Sequence, residues 1–343
     1  MKIIYSELGK LHHSKHRLTL GALIHFVVKN NRADIIKKEA EKRGLGSLII
    51  NPNEYPMESL KTVIDSDMVD FVKSCENLKK NEIVFPYVFP SKRRRMGKFN
   101  DPQEVNTKSI GYYNYDLVME IDNNTYKSAK SAADCALTGA ELILDKKERN
   151  VFALCCPPGH HAGYNYYGGF CVFNNAAIAA YQLLKLGKVA ILDVDFHHGN
   201  GTQDIFYDQA SILFVSLHGD THRYYPYFSG FSNETGHKLG VGKNINIPLP
   251  TGTGNDQYRE HLKDAIKKIG DFQPETLIIS MGFDTYKYDY LGRFKLTTDF
   301  YKEIALLAGE LKIPILAILE GGYNIMHTGK NGYSFIEGLA ELD

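Results

Sequence analysis

In the run Asp193-Val-Asp-Phe-His-His-Gly-Asn200, a carboxylate, Asp195, and an imidazole, His197, stand two residues apart. In an extended chain alternate side chains point the same way, so both could reach one ion. Asp284, in Gly282-Phe-Asp284, could supply a second carboxylate. One imidazole, two carboxylates and an open fourth position suit a metal that handles a reactant, because structural zinc sites are closed. The donor set fits Zn²⁺, with Fe²⁺ and Co²⁺ as alternatives that depend on supply. A two-manganese hydrolase would need Asp-x-His-x-Asp to bridge its ions. Gly199 stands where that last Asp should be, so one metal is expected.

His160-His161 follows Pro157-Pro-Gly159, a rigid loop that could hold two imidazoles beside such a metal. Zn²⁺ lowers the pKa of a bound water to roughly 7, and a neutral histidine could take its proton. Two histidines allow one base and one acid or electrostatic partner. Each needs its tautomer fixed, and Asp193 and Asn200 are the candidates for that support. Tyr323 follows Glu320-Gly-Gly, whose glycines permit a tight turn. Its hydroxyl could donate to a developing oxyanion, a contribution of roughly 2.7–4 kcal/mol where one such donor has been removed elsewhere.

These residues need a scaffold that gathers them. From about residue 125, β-branched runs at Val151–Leu154, Val189–Asp193, Ile212–Leu217, Thr276–Ser280 and Ile315–Leu319 alternate with helical patterns. The helices are expected near Tyr126–Leu144, Asn175–Leu186, Asn255–Ile269 and Thr298–Leu311. This alternation predicts an α/β fold, a parallel sheet with helices on both faces. In such a sheet the ligand crevice lies at the carboxyl ends of the strands. His160-His161, Asp193–Asn200, Gly282–Asp284 and Glu320–Tyr323 each follow a predicted strand, so four strand ends should converge. Residues 81–110, with three prolines and the basic run Lys92-Arg-Arg-Arg95, read as one long surface loop.

Forty Lys and Arg against 40 Asp and Glu leave a formal net charge of zero over 343 residues. That argues against nucleic acid as the main partner, which would call for a basic excess. No apolar run approaches the ~18 residues of a membrane span, and the start lacks the apolar stretch of a signal peptide. Five cysteines, Cys75, Cys135, Cys155, Cys156 and Cys171, show no Cys-x-x-Cys spacing. Neither a disulfide framework nor a thiolate zinc site is suggested, and a reducing, cytoplasmic setting is expected.

Taken together, Pro157-Pro-Gly-His-His-Ala162, Gly168-Gly-Phe-Cys-Val-Phe-Asn-Asn175, Asp193–Gln203, Ser216-Leu-His-Gly-Asp220, Gly282-Phe-Asp284 and Glu320-Gly-Gly-Tyr323 resemble the histone deacetylase superfamily. The resemblance is stronger to its bacterial acetylpolyamine amidohydrolases, which Ile110-Gly-Tyr-Tyr113 and the start also resemble. It implies a single domain over residues 1–343 with an arginase/deacetylase-like three-layer fold, a central mainly parallel sheet flanked by helices. It implies zinc on Asp195, His197 and Asp284, His160 and His161 as the tandem pair with His161 the base, and Tyr323 polarising the scissile carbonyl. A structural K⁺ is implied at Asp193, Asp195, His197, Ser216 and Leu217.

The resemblance also implies a channel lined by Gly169, Phe170 and Tyr225, in which aromatic faces grip a linear acetylated amine. Acetate and a free amine would be the products, acetylpolyamines the foremost substrates and acetyl-lysine in proteins the alternative. Polyamine deacetylases carry an acidic residue at the mouth, and here Val118 stands opposite it, with Asp116 and Glu120 read as charges on a solvated helical segment. The 81–110 loop matches the place of a dimer contact in that branch, so a homodimer is expected.

Overall fold

The computed structural model describes residues 1–11, 16–19, 22–25, 31–80, 82–86, 88–89 and 110–343, with only the backbone for 16–19 and 22–25. The run Lys92–Arg95 and most of the 81–110 loop lie outside the described residues.

The sheet begins with β1 (Lys2–Ile4). A separate antiparallel pair follows, β2 (His16–Thr19) and β3 (Ala22–His25). The other sheet strands are β4 (Ile49–Ile50), β5 (Asn150–Ala153), β6 (Val189–Asp193), β7 (Ile212–Gly219), β8 (Asn244–Leu249), β9 (Thr276–Met281) and β10 (Ile315–Leu319). Their order is β4-β1-β5-β10-β9-β6-β7-β8, and every neighbouring pair is parallel. The chain leaves β5 for β6 and only later inserts β9 and β10 between them. The crevice of a parallel sheet opens where connections part in this way. β5, β10, β9 and β6, the four strands expected to carry the site, are consecutive neighbours.

Parallel strands buried on both faces should be apolar throughout, and β6, β7, β9 and β10 are buried along their whole lengths. Alternate residues divide between two cores. Val189, Ile191, Leu316 and Ile318 pack on one side with α2 (Ser66–Ser74), α3 (Thr125–Leu144) and α4 (Asn175–Leu183). Ala190, Leu192, Ala317 and Leu319 face α1 (Arg32–Lys42), α6 (Asn255–Phe272), α7 (Thr298–Gly309) and α8 (Ile325–Ala340). A short α5 (Asn200–Phe206) runs from the end of the β6 loop. Asn174 caps α4, accepting from the Ala177 amide at 2.9 Å, while its Nδ2 donates to the Ala162 carbonyl at 2.9 Å. One side chain thus starts the helix and ties down the histidine loop.

The expected strands and helices all form, with ends shifted by up to three residues. One reading is corrected. Asp116 and Glu120 do not lie on a solvated helical face, because α3 begins only at Thr125; Asp116 is partly buried and Glu120 buried. Side-chain bonding drives this: the Asp116 amide donates to Asn114 Oδ1 at 3.1 Å, and Asp116 Oδ1 accepts from the Val118 amide at 3.0 Å. Such local bonds compete with helix.

Candidate active site

The ends of β6 and β9 bring Asp195, His197 and Asp284 together, each with a donor atom within 4.8 Å of the others. His197 Nδ1 lies 2.9 Å from Asp284 Oδ2 and 3.4 Å from Asp195 Oδ1. Backbone amides aim the remaining oxygens. Asp195 Oδ2 accepts from Gly321 at 2.7 Å, and Asp284 Oδ1 accepts from Phe196 at 2.9 Å. A Cβ on Gly282 would sit 2.2 Å from Asp195 Oδ2, and one on Gly321 would sit 2.5 Å from the same oxygen. Only glycine lets these loops close around the carboxylates. Burial, then the charge of Asp195, raises the Asp284 carboxyl to about 7. Two buried carboxylates that repel each other, with an imidazole turned toward both, form a donor set that a divalent cation fits.

His160 and His161 pack beside this group with ring centroids 4.0 Å apart and planes tilted by 44°. Their surroundings differ. His160 Nδ1 is 3.0 Å from Asp193 Oδ2, and His161 Nδ1 is 2.8 Å from Asn200 Oδ1. Burial opposes charge on His160, but Asp193, Asp195 and Glu320 outweigh it and raise the ring to about 10. Burial, reinforced by the positive charge of His160 and His197, pushes His161 well below the usual range. The neighbours therefore push the two rings in opposite directions. Tyr323 stands at the end of β10, its hydroxyl kept protonated by burial.

Among the proposed K⁺ residues, Asp193 pairs with Ser216 across β6 and β7, and Leu217 follows in β7. The Ser216 hydroxyl bonds to His218 Nδ1 at 2.8 Å and lies 3.3 Å from His198 Nδ1. Gly169 and Tyr225 meet at His161, and Phe170 faces Tyr323. Tyr225 lies edge-on to His161 at 4.8 Å, Phe170 lies 6.0 Å from Tyr323, and Gly169 presses so close that a Cβ would be 2.6 Å from His161 Cδ2.

Three residues around the site escape sequence reasoning. Glu320 is fully buried, and its Oε2 accepts from the Gly159 and His160 amides at 2.7 and 3.2 Å. Its position beside Gly321 at a strand end was the one available signal. Asp289 Oδ2 accepts from the Tyr323 and Asn324 amides at 2.7 and 3.0 Å, which anchors the tyrosine. Arg32, buried in the first turn of α1, sets its guanidinium 5.8 Å from the Tyr323 ring centroid. Nothing near Arg32 in the sequence marks it. A second buried group, His160, Cys171 and Glu320, also brings three donor atoms within 4.8 Å. There the Glu320 oxygens already serve the Gly159 and His160 amides and Ser280.

Residues 26–339 match the histone deacetylase domain. The chain is 38% identical to acetylpolyamine amidohydrolase 2 of Pseudomonas aeruginosa, over 99% of this chain and 98% of that one. It is 36% identical to acetylpolyamine amidohydrolase of Mycoplana ramosa, over 99% of this chain and all of that one. The crystal structure of acetylpolyamine aminohydrolase from Burkholderia pseudomallei superposes with a TM-score of 0.92 at 31% identity, covering 100% of this chain and 99% of that one.

Proposed function

The chain belongs to the histone deacetylase family, and on that premise we propose that it is a metal-dependent amidohydrolase that removes acetyl groups from linear acetylated amines, acetylpolyamines foremost. The observation that carries this reading is the meeting of Asp195, His197 and Asp284 with the His160–His161 pair at adjoining strand ends. The full-length similarity to acetylpolyamine amidohydrolases supports the substrate class.

In this reading Asp195, His197 and Asp284 hold Zn²⁺, with Fe²⁺ or Co²⁺ as alternatives. When bound there, the ion supplies Lewis-acid polarisation and lowers the pKa of water to roughly 7. The protein's own groups do the rest. Asn200 accepts from His161 Nδ1–H, which leaves Nε2 of the neutral ring free to take a proton from the attacking water. The water oxygen bonds to the carbonyl carbon, and the Tyr323 hydroxyl donates to the oxygen on which charge develops. His160, held cationic by its carboxylates, stabilises that charge electrostatically. Cleavage of the C–N bond then sends the proton to the departing nitrogen, giving acetate and a free amine.

The reading extends to K⁺ beside Asp193, Asp195, His197, Ser216 and Leu217, supported by the Asp193–Ser216 register. It extends to one domain over residues 1–343, supported by the eight-stranded sheet, which takes strands from Lys2–Ile4 through Ile315–Leu319. It also includes a homodimer contact through residues 81–110 and a cytoplasmic setting. No described helix is long and apolar enough to cross a membrane. The substrate test compares kcat/KM for N-acetylputrescine with that for an acetyl-lysine peptide. A higher value for the polyamine supports the reading, and a peptide preference of about tenfold, or about 1.4 kcal/mol in transition-state binding, would move the function to proteins.

A further inference from the structure

Asp116 carries no role in the chemistry above, yet three donors converge on its carboxylate. Oδ2 accepts from the Gly169 amide at 2.7 Å and from the Tyr225 hydroxyl at 2.7 Å, while Oδ1 accepts from the Val118 amide at 3.0 Å. The first two belong to separate segments of the chain, the turn at Gly168–Cys171 and the loop after β7. Gly169 and Phe170 are the central residues of a turn closed by reciprocal bonds between Gly168 and Cys171 at 3.1 and 2.9 Å. Both have positive φ, 58° for Gly169 and 67° for Phe170. Glycine adopts that conformation freely, but a phenylalanine does so only when its surroundings impose it. The other segment supplies Tyr225, whose ring leans on His161.

The approach is close on both sides. A Cβ on Gly168 would fall 2.9 Å from Asp116 Oδ2, and one on Gly169 would fall 2.7 Å from the Tyr225 hydroxyl. Tyr115 completes the cluster. Its ring stacks on Tyr225 with centroids 6.2 Å apart and its hydroxyl meets the Tyr225 hydroxyl. Tyr225 therefore donates to Asp116 and accepts from Tyr115.

We propose that Asp116 is a positioning residue that sets substrate specificity: by bonding at once to the Gly169 amide and the Tyr225 hydroxyl, it ties the two channel walls together and holds the bore to the width of an unbranched chain. The residue expected from sequence to lie on a solvated face is instead the clasp of the channel. Its Oδ2 is committed to the walls and its Oδ1 to the Val118 amide.

The activity readout rests on the amidohydrolase reading, so the test pairs it with one that does not. Full-length wild type, Asp116→Ala, Tyr225→Phe and the double variant are loaded with zinc and assayed on N-butylacetamide and its isomer N-sec-butylacetamide, which differ only in branching next to nitrogen. The wild type should prefer the linear isomer by about 100-fold in kcat/KM. Asp116→Ala and Tyr225→Phe should each cut that preference by about tenfold, and the double variant should resemble Asp116→Ala, because both changes break one link. Exchange of the Gly169 amide proton, read by NMR without substrate, should speed up at least about tenfold in Asp116→Ala and stay unchanged in Tyr225→Phe. If Asp116→Ala does not fold, Asp116→Asn, with one acceptor oxygen for three donors, replaces it. Unchanged isomer preference in a folded Asp116 variant, multiplicative losses in the double variant, or unaltered Gly169 exchange would each overturn the clasp. A wild type inert on both amides would count against the amidohydrolase reading, and the exchange result would still decide the clasp.

Discussion

At the residue scale, the site sets similar side chains to different work through their neighbours. His160 and His161 are adjacent in sequence and packed together in space, yet a carboxylate supports one and an amide the other. Charged partners favour a protonated ring and burial favours a neutral one, so only His161 is poised to accept a proton. Replacing His161 by Ala should lower kcat by roughly 10²–10⁴-fold, and Tyr323→Phe by roughly 10²–10³-fold, both with little change in KM. Steady-state rates of acetate release check this, and wild-type kcat in either variant would remove that residue from the mechanism. The residues legible in the sequence were those whose chemistry is concentrated in short runs, Asp193–Asn200 above all. Arg32, Asp116 and Asp289 were not legible, because their meaning lies in partners far along the chain; the Asp116–Tyr225 bond joins residues 109 positions apart.

At the scale of elements, strand interiors were legible because burial on both faces demands unbroken β-branched and aliphatic runs. β8, with Asn244, Asn246 and Pro248, escaped notice because it is an edge strand and its asparagines bond to the Gln203 side chain. The helices α1 and α8 were missed as well; they pack against each other, and α8 carries glycines at 329, 332 and 338 that weaken its helical signature. Residues 115–120 were misread because side-chain bonds at Asp116 overrode the charge pattern. The strand-end loops depend on crossing anchors, of which Glu320 is one: it leaves β10 and holds two amides of the loop after β5. Glu320→Ala would strand both donors in the interior, and urea unfolding should register a loss of about 3 kcal/mol. A loss under about 0.5 kcal/mol, the range of an ordinary surface change, would mean that the loop holds its shape without that anchor.

At the scale of the whole molecule, sheet order does what no single motif can. β9 and β10 enter between β5 and β6, so residues 160, 195, 284 and 323 meet although the chain reaches them in four separate passes. That order could be anticipated only through family resemblance, since strand pattern alone does not fix which strands become neighbours. A net charge of zero adds a constraint, because no overall field draws a cationic substrate inward. Any attraction to such a substrate must therefore be local. The central claim is that one metal, held by Asp195, His197 and Asp284, is required for deacetylation. It is tested most directly by titrating metal-free enzyme with Zn²⁺ while following acetate release from N-acetylputrescine. The account predicts no acetate without metal and a rate that rises to a plateau at about one equivalent per chain; acetate release that ignores zinc, or none at any loading, would contradict it.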